Sequence, residues 1–341
     1  MSSSGSARRP TIGDVATAAG VSRTTVSHAL NGLGKVDPNT RDRVKRVASE
    51  LGYRPNLRAQ RLRTGQARTI ALASSMPLAV AGGPSRLGFY MEVAAAAAEY
   101  ALTQDYSLVL VPPSRSASDV GSVDVDGAIL VEPEQDDPVA AQLHERGLPF
   151  VTIGRQIGAP PGIPYVDLHG GAVAELLLAH LREQGARHPA LITGSGTRHS
   201  YVDSRSRATD GGHAETLTTA AESGGEQAGY EACSQLLDRH PETDAVCVLV
   251  DAFAVGAMRA LADRGLRVPS DVMVATRYNG IRAQTCDPPL TAVDLHLDVA
   301  AAEAVELLLA RLRGEDDAAA AETPPPRLVP RASSLRLTSP A

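Results

Sequence analysis

A chain of 341 residues, 43% of them hydrophobic, is long enough for two or three lobes with cores of their own. Trp is absent and aromatics reach only 3%, so Ala, Val and Leu must fill those cores. The opening MSSSGSARRP has no apolar stretch behind it, so no secretory signal is expected, and no run approaches the roughly 18 apolar residues of a membrane span. Cys233, Cys247 and Cys286 are scattered without a CxxC pair. They fit buried thiols in a reducing cytoplasm better than a disulfide frame or a zinc site. The net charge of −6 hides a split: residues 1–68 hold 13 Lys and Arg against Asp14, Asp37, Asp42 and Glu50, while the remainder holds 20 against 35 acids. That division suits a segment that neutralises phosphates joined to a body that stays off DNA; a solvated basic tail gives the same charge.

The first sixty residues read as three short helices. Thr11 is an N-cap with Asp14 in the first turn, ahead of Ile12, Val15, Ala16 and Ala19 at helical spacing, and Gly20 stops the helix. Ser22 caps a second helix, RTTVSHAL, with Val26, Ala29 and Leu30 inward and an end at Asn31-Gly32. Asp37-Pro38 opens a third, carrying Val44, Val47, Ala48 and Leu51 inward and closing at Gly52. Two helices around a tight turn, the second polar on its outer face, make a helix-turn-helix unit. That face offers Arg23, Thr24, Ser27 and His28 to base edges, while Ser22 and Thr25 suit phosphate oxygens. An ordinary polar helix face has the same composition.

TIGDVATAAGVSRTTVSHALNG, followed by VDPNTRDRVKRVASELGYRPNLRAQRLRTGQARTIAL, resembles the LacI/GalR family of bacterial repressors, and the likeness runs through nearly the whole chain. It implies a dimer whose recognition helices enter the major groove of two operator half-sites. On the matching positions Arg23, Thr24 and His28 would read bases, and Thr11, Ser22, Thr25 and Asn31 would hold the backbone. His28 stands where the family usually has Arg, which bears on base preference and not on docking.

RPNLRAQRLRTGQAR follows Tyr53, too short and too charged to hold a helix alone in water. The resemblance implies a hinge helix in the minor groove, with Asn56 capping it, Ala59 near the groove and Leu62 wedged between the central base pairs. A flexible basic linker is the alternative.

From Thr69 onward apolar runs alternate with amphipathic stretches. Strands are expected at 70–74, 108–111, 128–131, 150–153, 190–193, 245–250 and 272–276, and helices at 93–102, 172–182, 252–264 and 299–312. The pattern predicts α/β architecture, doubly wound parallel sheets with ligands beyond the strand carboxyl ends. The resemblance implies a two-lobed periplasmic-binding-protein-like effector domain behind the three-helix head. RGLRVPSDVMVATRYNGIRAQTCDPPLTAVD matches the second-lobe signature, and LVPRASS the final strand. The expected division is a tail at 1–10, a DNA-binding domain at 11–55, a hinge at 56–68 and an effector and dimerisation domain at 69–341. Its lobes would comprise 69–156 with 288–314, and 160–286 with 325–341, with crossings near 155–164, 286–289 and 314–325.

On the matching positions the effector-binding residues would be Phe89, Tyr90, Arg207, Asp251, Arg277 and Tyr278. Asp251 matches an aspartate that binds effector hydroxyls in sugar-sensing members, and Arg207 an arginine that closes on the ligand, although Asp210 replaces the glycine three residues on. Thr276-Arg277-Tyr278-Asn279 replaces the usual Gly-Phe-Asp-Asp. Losing a carboxylate and gaining an arginine points to an anionic or uncharged effector; Arg277 paired with a surface acid is the other reading. No G-x-G-x-x-G, G-x-x-x-x-G-K-[ST] or H-E-x-x-H occurs, so no enzyme, catalytic residue, metal or cofactor is expected, and Gly194-Ser195-Gly196 reads as a cleft loop. A transport-type sugar-binding protein would lack the basic head. The expectation is a cytoplasmic dimeric repressor of double-stranded operator DNA under small-molecule control; an effector-blind pocket stays open as an alternative.

Overall fold

Short hydroxyl and acid side chains set the helix ends of the basic head. The structure, a computed structural model, describes residues 10–31, 34–53, 66–81, 88–111, 122–315, 320–321 and 323–335. Two compact units result, 1–66 and 67–341. In the first, α1 (Ile12–Ala19) starts with a capping box: Thr11 Oγ1 accepts the Asp14 N–H while Asp14 Oδ2 accepts the Thr11 N–H at 2.7 Å. Gly20, at φ +64°, makes the left-handed turn out of α1. Ser22 Oγ then accepts the Thr25 N–H at 3.0 Å and starts α2 (Arg23–Asn31). Asp37 accepts the Thr40 N–H at 2.9 Å, with Pro38 behind it, and opens α3 (Pro38–Glu50). Val15, Ala16, Ala19, Val26, Ala29, Val44 and Ala48 form the core, with Leu30 and Val47 at its margin. Leu51, expected inward, is 39% exposed. Tyr53 packs over that end of the core and bonds back to the Ala48 carbonyl, leaving Leu51 outside.

The second unit holds two parallel sheets. In lobe 1, β1 (Thr69–Ser74), β2 (Ser107–Leu110), β3 (Gly127–Val131), β4 (Phe150–Ile153), β5 (Tyr165–Val166) and β11 (Ala320–Ala321) stand in the order β11-β5-β4-β3-β1-β2. Alternate residues enter different cores. After the short α4 (Leu78–Ala81), Val93 and Ala97 of α5 (Phe89–Thr103) join the main core with Ile70 and Leu72, whereas Ala71 and Ala73 join Val139 and Leu143 of α6 (Pro138–Glu145). Both faces of the sheet are therefore covered, and the central strands read as unbroken apolar runs. In lobe 2, β6 (Pro189–Gly194), β7 (Thr216–Ala220), β8 (Ala245–Val248) and β9 (Met273–Thr276) stand in the order β7-β6-β8-β9. Helices α7 (Gly170–Glu183), α8 (His199–Asp210), α9 (Gly225–Arg239) and α10 (Asp251–Asp263) follow in the same lobe, and α12 (Leu297–Leu312) returns to lobe 1 after the short α11 (Ile281–Thr285). In both sheets the chain order reverses beside the first strand, β1 and β6, which opens a crevice at the carboxyl ends.

The lobe crossings differ from expectation. The 155–164 segment stays in lobe 1, because β5 pairs with β4; the crossing follows at Asp167–His169. The 286–289 segment stays in lobe 2, and the chain crosses after β10 (Ala292–Asp294), which pairs antiparallel with β12 (Arg327–Val329). The third crossing lies past β11, at 323–326, since β11 still pairs with β5. The first two use the same tetrapeptide. In Val166-Asp167-Leu168-His169 and Val293-Asp294-Leu295-His296 the aspartate accepts the histidine N–H, at 2.8 and 3.1 Å, and the histidine adopts φ near +50°. Thr323 donates to the Asp167 carbonyl, and Arg327 donates to Asp294 at 3.1 Å, so the third strand is laced to both.

Helices α9 and α10 pack through glycine. A Cβ on Gly229 would lie 2.3 Å from Phe253 Cα, and one on Gly256 would lie 2.0 Å from the Glu226 carbonyl oxygen. Since the obstructing atoms are backbone, Gly256→Ala is expected to destabilise the effector unit by at least about 1–3 kcal/mol, measured by thermal unfolding. An unchanged melting temperature would show that the helix pair yields.

Candidate functional site

On α2 the side chains of Arg23 and Thr24 are exposed, beside an α1 whose Gly13 lets the Arg23 guanidinium lie close. Ser22 and Thr25 share a hydrogen bond of 2.8 Å between their hydroxyls at the helix start. Thr11, a residue matched to backbone contact, gives both its N–H and its hydroxyl to Asp14 Oδ2, each at 2.7 Å. His28 is half-buried and packs its ring over Gly34, where a Cβ would come 2.9 Å from Nδ1; Gly34 has φ +66°, so glycine there serves both the turn and the histidine. Asn31 ends α2, with its side chain outside the described residues, and Asn56, Ala59 and Leu62 lie outside them altogether.

The second site lies where the carboxyl ends of β1, β3, β6, β8 and β9 face one another. A cavity of about 40 Å³, room for about three waters, opens there. Phe89 and Tyr278 line it edge to face, with centroids 5.9 Å apart, and the Arg277 guanidinium stands 5.6 Å over the Phe89 ring. Tyr90 contributes only its ring, because its hydroxyl donates to the carbonyls of Leu72 and Val111 at 3.2 and 3.1 Å. Asp251 begins α10, with Oδ1 accepting the Ala252 N–H at 2.8 Å and Oδ2 buried without a partner. Burial holds its carboxyl above the ordinary value, against Arg282 and the Ala252 N–H, which favour ionisation.

Charged side chains join the lobes around that cavity. Glu132, just past β3, accepts from Arg277 Nη2 at 2.9 Å and from the Ser200 hydroxyl at 2.5 Å. Its carbonyl accepts from Arg198, which also bonds Glu222 at 3.0 Å. Tyr201 donates to Glu222 at 2.7 Å, and Tyr278 donates to Glu92 across the lobes. Burial works against ionising Glu132, but Arg277 and the Ser200 hydroxyl outweigh it and hold the carboxyl below its ordinary value. Removing one partner of such a pair costs about 3–5 kcal/mol, because the other is left charged and dry. Glu132 also holds φ +49°, a strain of about 1–3 kcal/mol for a residue with a side chain.

Two expectations change here. Arg277 faces a buried acid from the opposite lobe, so its charge is already answered and does not by itself call for an anion. Arg207 is half-exposed and outside the cavity, bonded to Asp203 and Glu175 at 3.3 Å each. The buried face of α8 carries Tyr201, Ser204 and Ala208, and Arg207 stands about one helical step off it, where it braces the Asp203 that accepts the Gly171 N–H of α7. Gly194-Ser195-Gly196 is a loop whose glycine carbonyls accept from Arg205. Glu132, Arg198, Tyr201 and Glu222 escaped the sequence reading. The available signal was position: Glu132 follows an expected strand directly, and Arg198 lies in the loop past another, where a parallel sheet presents its ligand-facing residues.

Residues 11–56 match the family described as bacterial regulatory proteins, lacI family, and residues 178–334 match a periplasmic binding protein-like domain. The chain is 33% identical to the HTH-type transcriptional regulator CelR of Thermobifida fusca over 94% of its own length and 96% of that protein. It is 32% identical to AglR of Rhizobium meliloti (strain 1021), over 92% and 91%. Among solved structures it is similar to the lac repressor dimer bound to operator and the anti-inducer ONPF, at 25% identity and a TM-score of 0.76, covering 96% of this chain and 100% of that one. It is also similar to the CelR–cellobiose complex, at 30% identity and a TM-score of 0.66, covering 95% and 100%.

A carboxyl group whose folded-state pKa is raised loses stability as it ionises, a loss absent below the unfolded value near 4 and complete once pH has risen through the folded value. Asp251→Asn is therefore expected to unfold at the wild-type temperature or higher near neutral pH, with the difference closing below about pH 4. Thermal unfolding across that range checks it; a less stable variant at neutral pH would reveal a partner for the carboxylate.

Proposed function

The chain belongs to the LacI/GalR family of bacterial transcriptional regulators, and we propose that it binds a pseudo-palindromic operator as a dimer, as a repressor, and changes its grip when a small molecule enters the cleft between its lobes. It is a DNA-binding regulator and not an enzyme. The observation that carries the finer reading is the pairing of two surfaces on one chain. One is a capped helix with Arg23 and Thr24 turned outward; the other is a closed crevice with one unmatched buried acceptor. Arg23, Thr24 and His28 read bases, with Thr11, Ser22, Thr25 and Asn31 on phosphates; Asn56, Ala59 and Leu62 form the hinge, on the sequence likeness alone. No helix among the described residues is long and apolar enough to cross a membrane, and the regulator acts where the DNA is, in the cytoplasm.

The effector meets Phe89, Tyr278 and the Tyr90 ring on its apolar side, and Asp251 on its polar side. Because Arg277 is answered by Glu132, the buried Asp251 Oδ2 is the cavity-lining acceptor that recognises a ligand, and it requires a donor. An uncharged polyhydroxy compound fits that demand, and a similar solved structure is a CelR–cellobiose complex. At about 40 Å³ the cavity must widen to admit a sugar, so binding shifts the lobes and through them the hinge. The same small volume supports a second reading, in which the cleft takes no effector.

Three outcomes are expected. Arg23→Ala should weaken specific operator binding by about 1–3 kcal/mol with little change on random DNA, by titration at fixed salt; equal losses on both would remove Arg23 from base reading. Cellobiose at about 100 times its dissociation constant should stabilise the protein by about 2.7 kcal/mol, and should alter operator affinity by the factor by which operator alters its own; no shift with cellobiose or any sugar panel would favour the effector-blind reading. Leu62→Ala should reduce operator bending in a phasing assay while major-groove protection persists; undiminished bending removes the wedge.

A further inference from the structure

We propose that Glu132 is a built-in occupant of the effector cleft: a carboxylate of lobe 1 seated on the lobe 2 donors that would otherwise receive an anionic ligand, so that the lobes close without one. This rests on reading the cleft as the effector site. Every donor on Glu132 comes from across the crevice. Arg277 follows β9, Ser200 lies in the first turn of α8, and Arg198 immediately precedes that helix. The seat is built and dry: Arg198 is fully buried, and Glu132 and Arg277 are 3% and 7% exposed. Arg198 is further answered by Glu222 at 3.0 Å and Glu134 at 3.4 Å, so the charges of the seat are matched without a ligand, and Arg277 Nε alone of its guanidinium donors there is buried without a hydrogen-bond partner. A guanidinium beside a hydroxyl, with a second arginine next to them, is the chemistry that captures carboxylates and phosphates. Here the capture is intramolecular. The left-handed backbone of Glu132 turns both its carboxylate and its carbonyl toward lobe 2. Two consequences follow for selectivity. A free anion meets arginines already engaged, and an uncharged ligand binds by donating to Asp251 and wedging beside the pair.

The test uses the full-length protein without DNA or sugar, so its failure and that of the operator or cellobiose experiments are separable. Interlobe distance is read by pulsed electron paramagnetic resonance between one label on each lobe. Wild type is expected to hold a single short distance and to ignore sodium acetate. Glu132→Ala should lengthen and broaden the distance, and millimolar acetate, but not sodium chloride of equal ionic strength, should restore the short one by filling the vacated seat. Glu132→Gln and Arg277→Met should also open, and Arg277→Met should not respond to acetate; these two decide the matter if the alanine variant does not fold. An unchanged distance in the folded Glu132 variants, or acetate acting no better than chloride, overturns the proposal.

Discussion

Two parallel sheets in this protein point their carboxyl ends at each other, and the residues just past those ends are therefore removed from water when the lobes meet. A charge placed there must find its opposite or be neutralised, because an isolated buried ion is far more costly than any single packing contact is favourable. Glu132, Arg277, Arg198 and Glu222 answer one another under that constraint. The bonds from Arg277, Ser200 and Arg198 to Glu132 span the seam, so opening the lobes would break them together and expose the charges to solvent, where their attraction weakens.

The seam can move because the three strands joining the lobes are built for rotation about short segments. The repeated Asp-Leu-His element bends each of the first two crossings through a left-handed histidine, locked by an aspartate cap. Thr323 and Arg327 tie the third crossing to the others. In the function proposed above, such a rotation is the event that an effector would bias.

Charge separates the two jobs of the chain. The basic head carries the surplus that phosphates require, and the acidic body discourages non-productive contact with DNA. Within the head, Gly20, Ser22, Asp37 and Pro38 fix helix ends by local chemistry, which leaves Arg23 and Thr24 exposed on α2 while His28 packs on its glycine.

Local rules were enough for the head. Caps, prolines and glycines act within four residues, so α1 to α3 and their core were legible, Leu51 excepted, since a period says nothing about where a core stops. The central strands were legible as apolar runs, because burial on both faces forces that composition; the edge strand β7 and the polar helix α8 carried no such mark. By itself the sequence determined the family, the alternating architecture and the presence of Asp251, Phe89 and Tyr278 at the cleft. Only the tertiary structure decided that Arg277 is answered by Glu132, that Arg207 braces a helix start and that Tyr90 offers no hydroxyl. Glu132 and Arg277 are 145 residues apart, and no local period or cap connects them; two sheets must fold before their charges can meet.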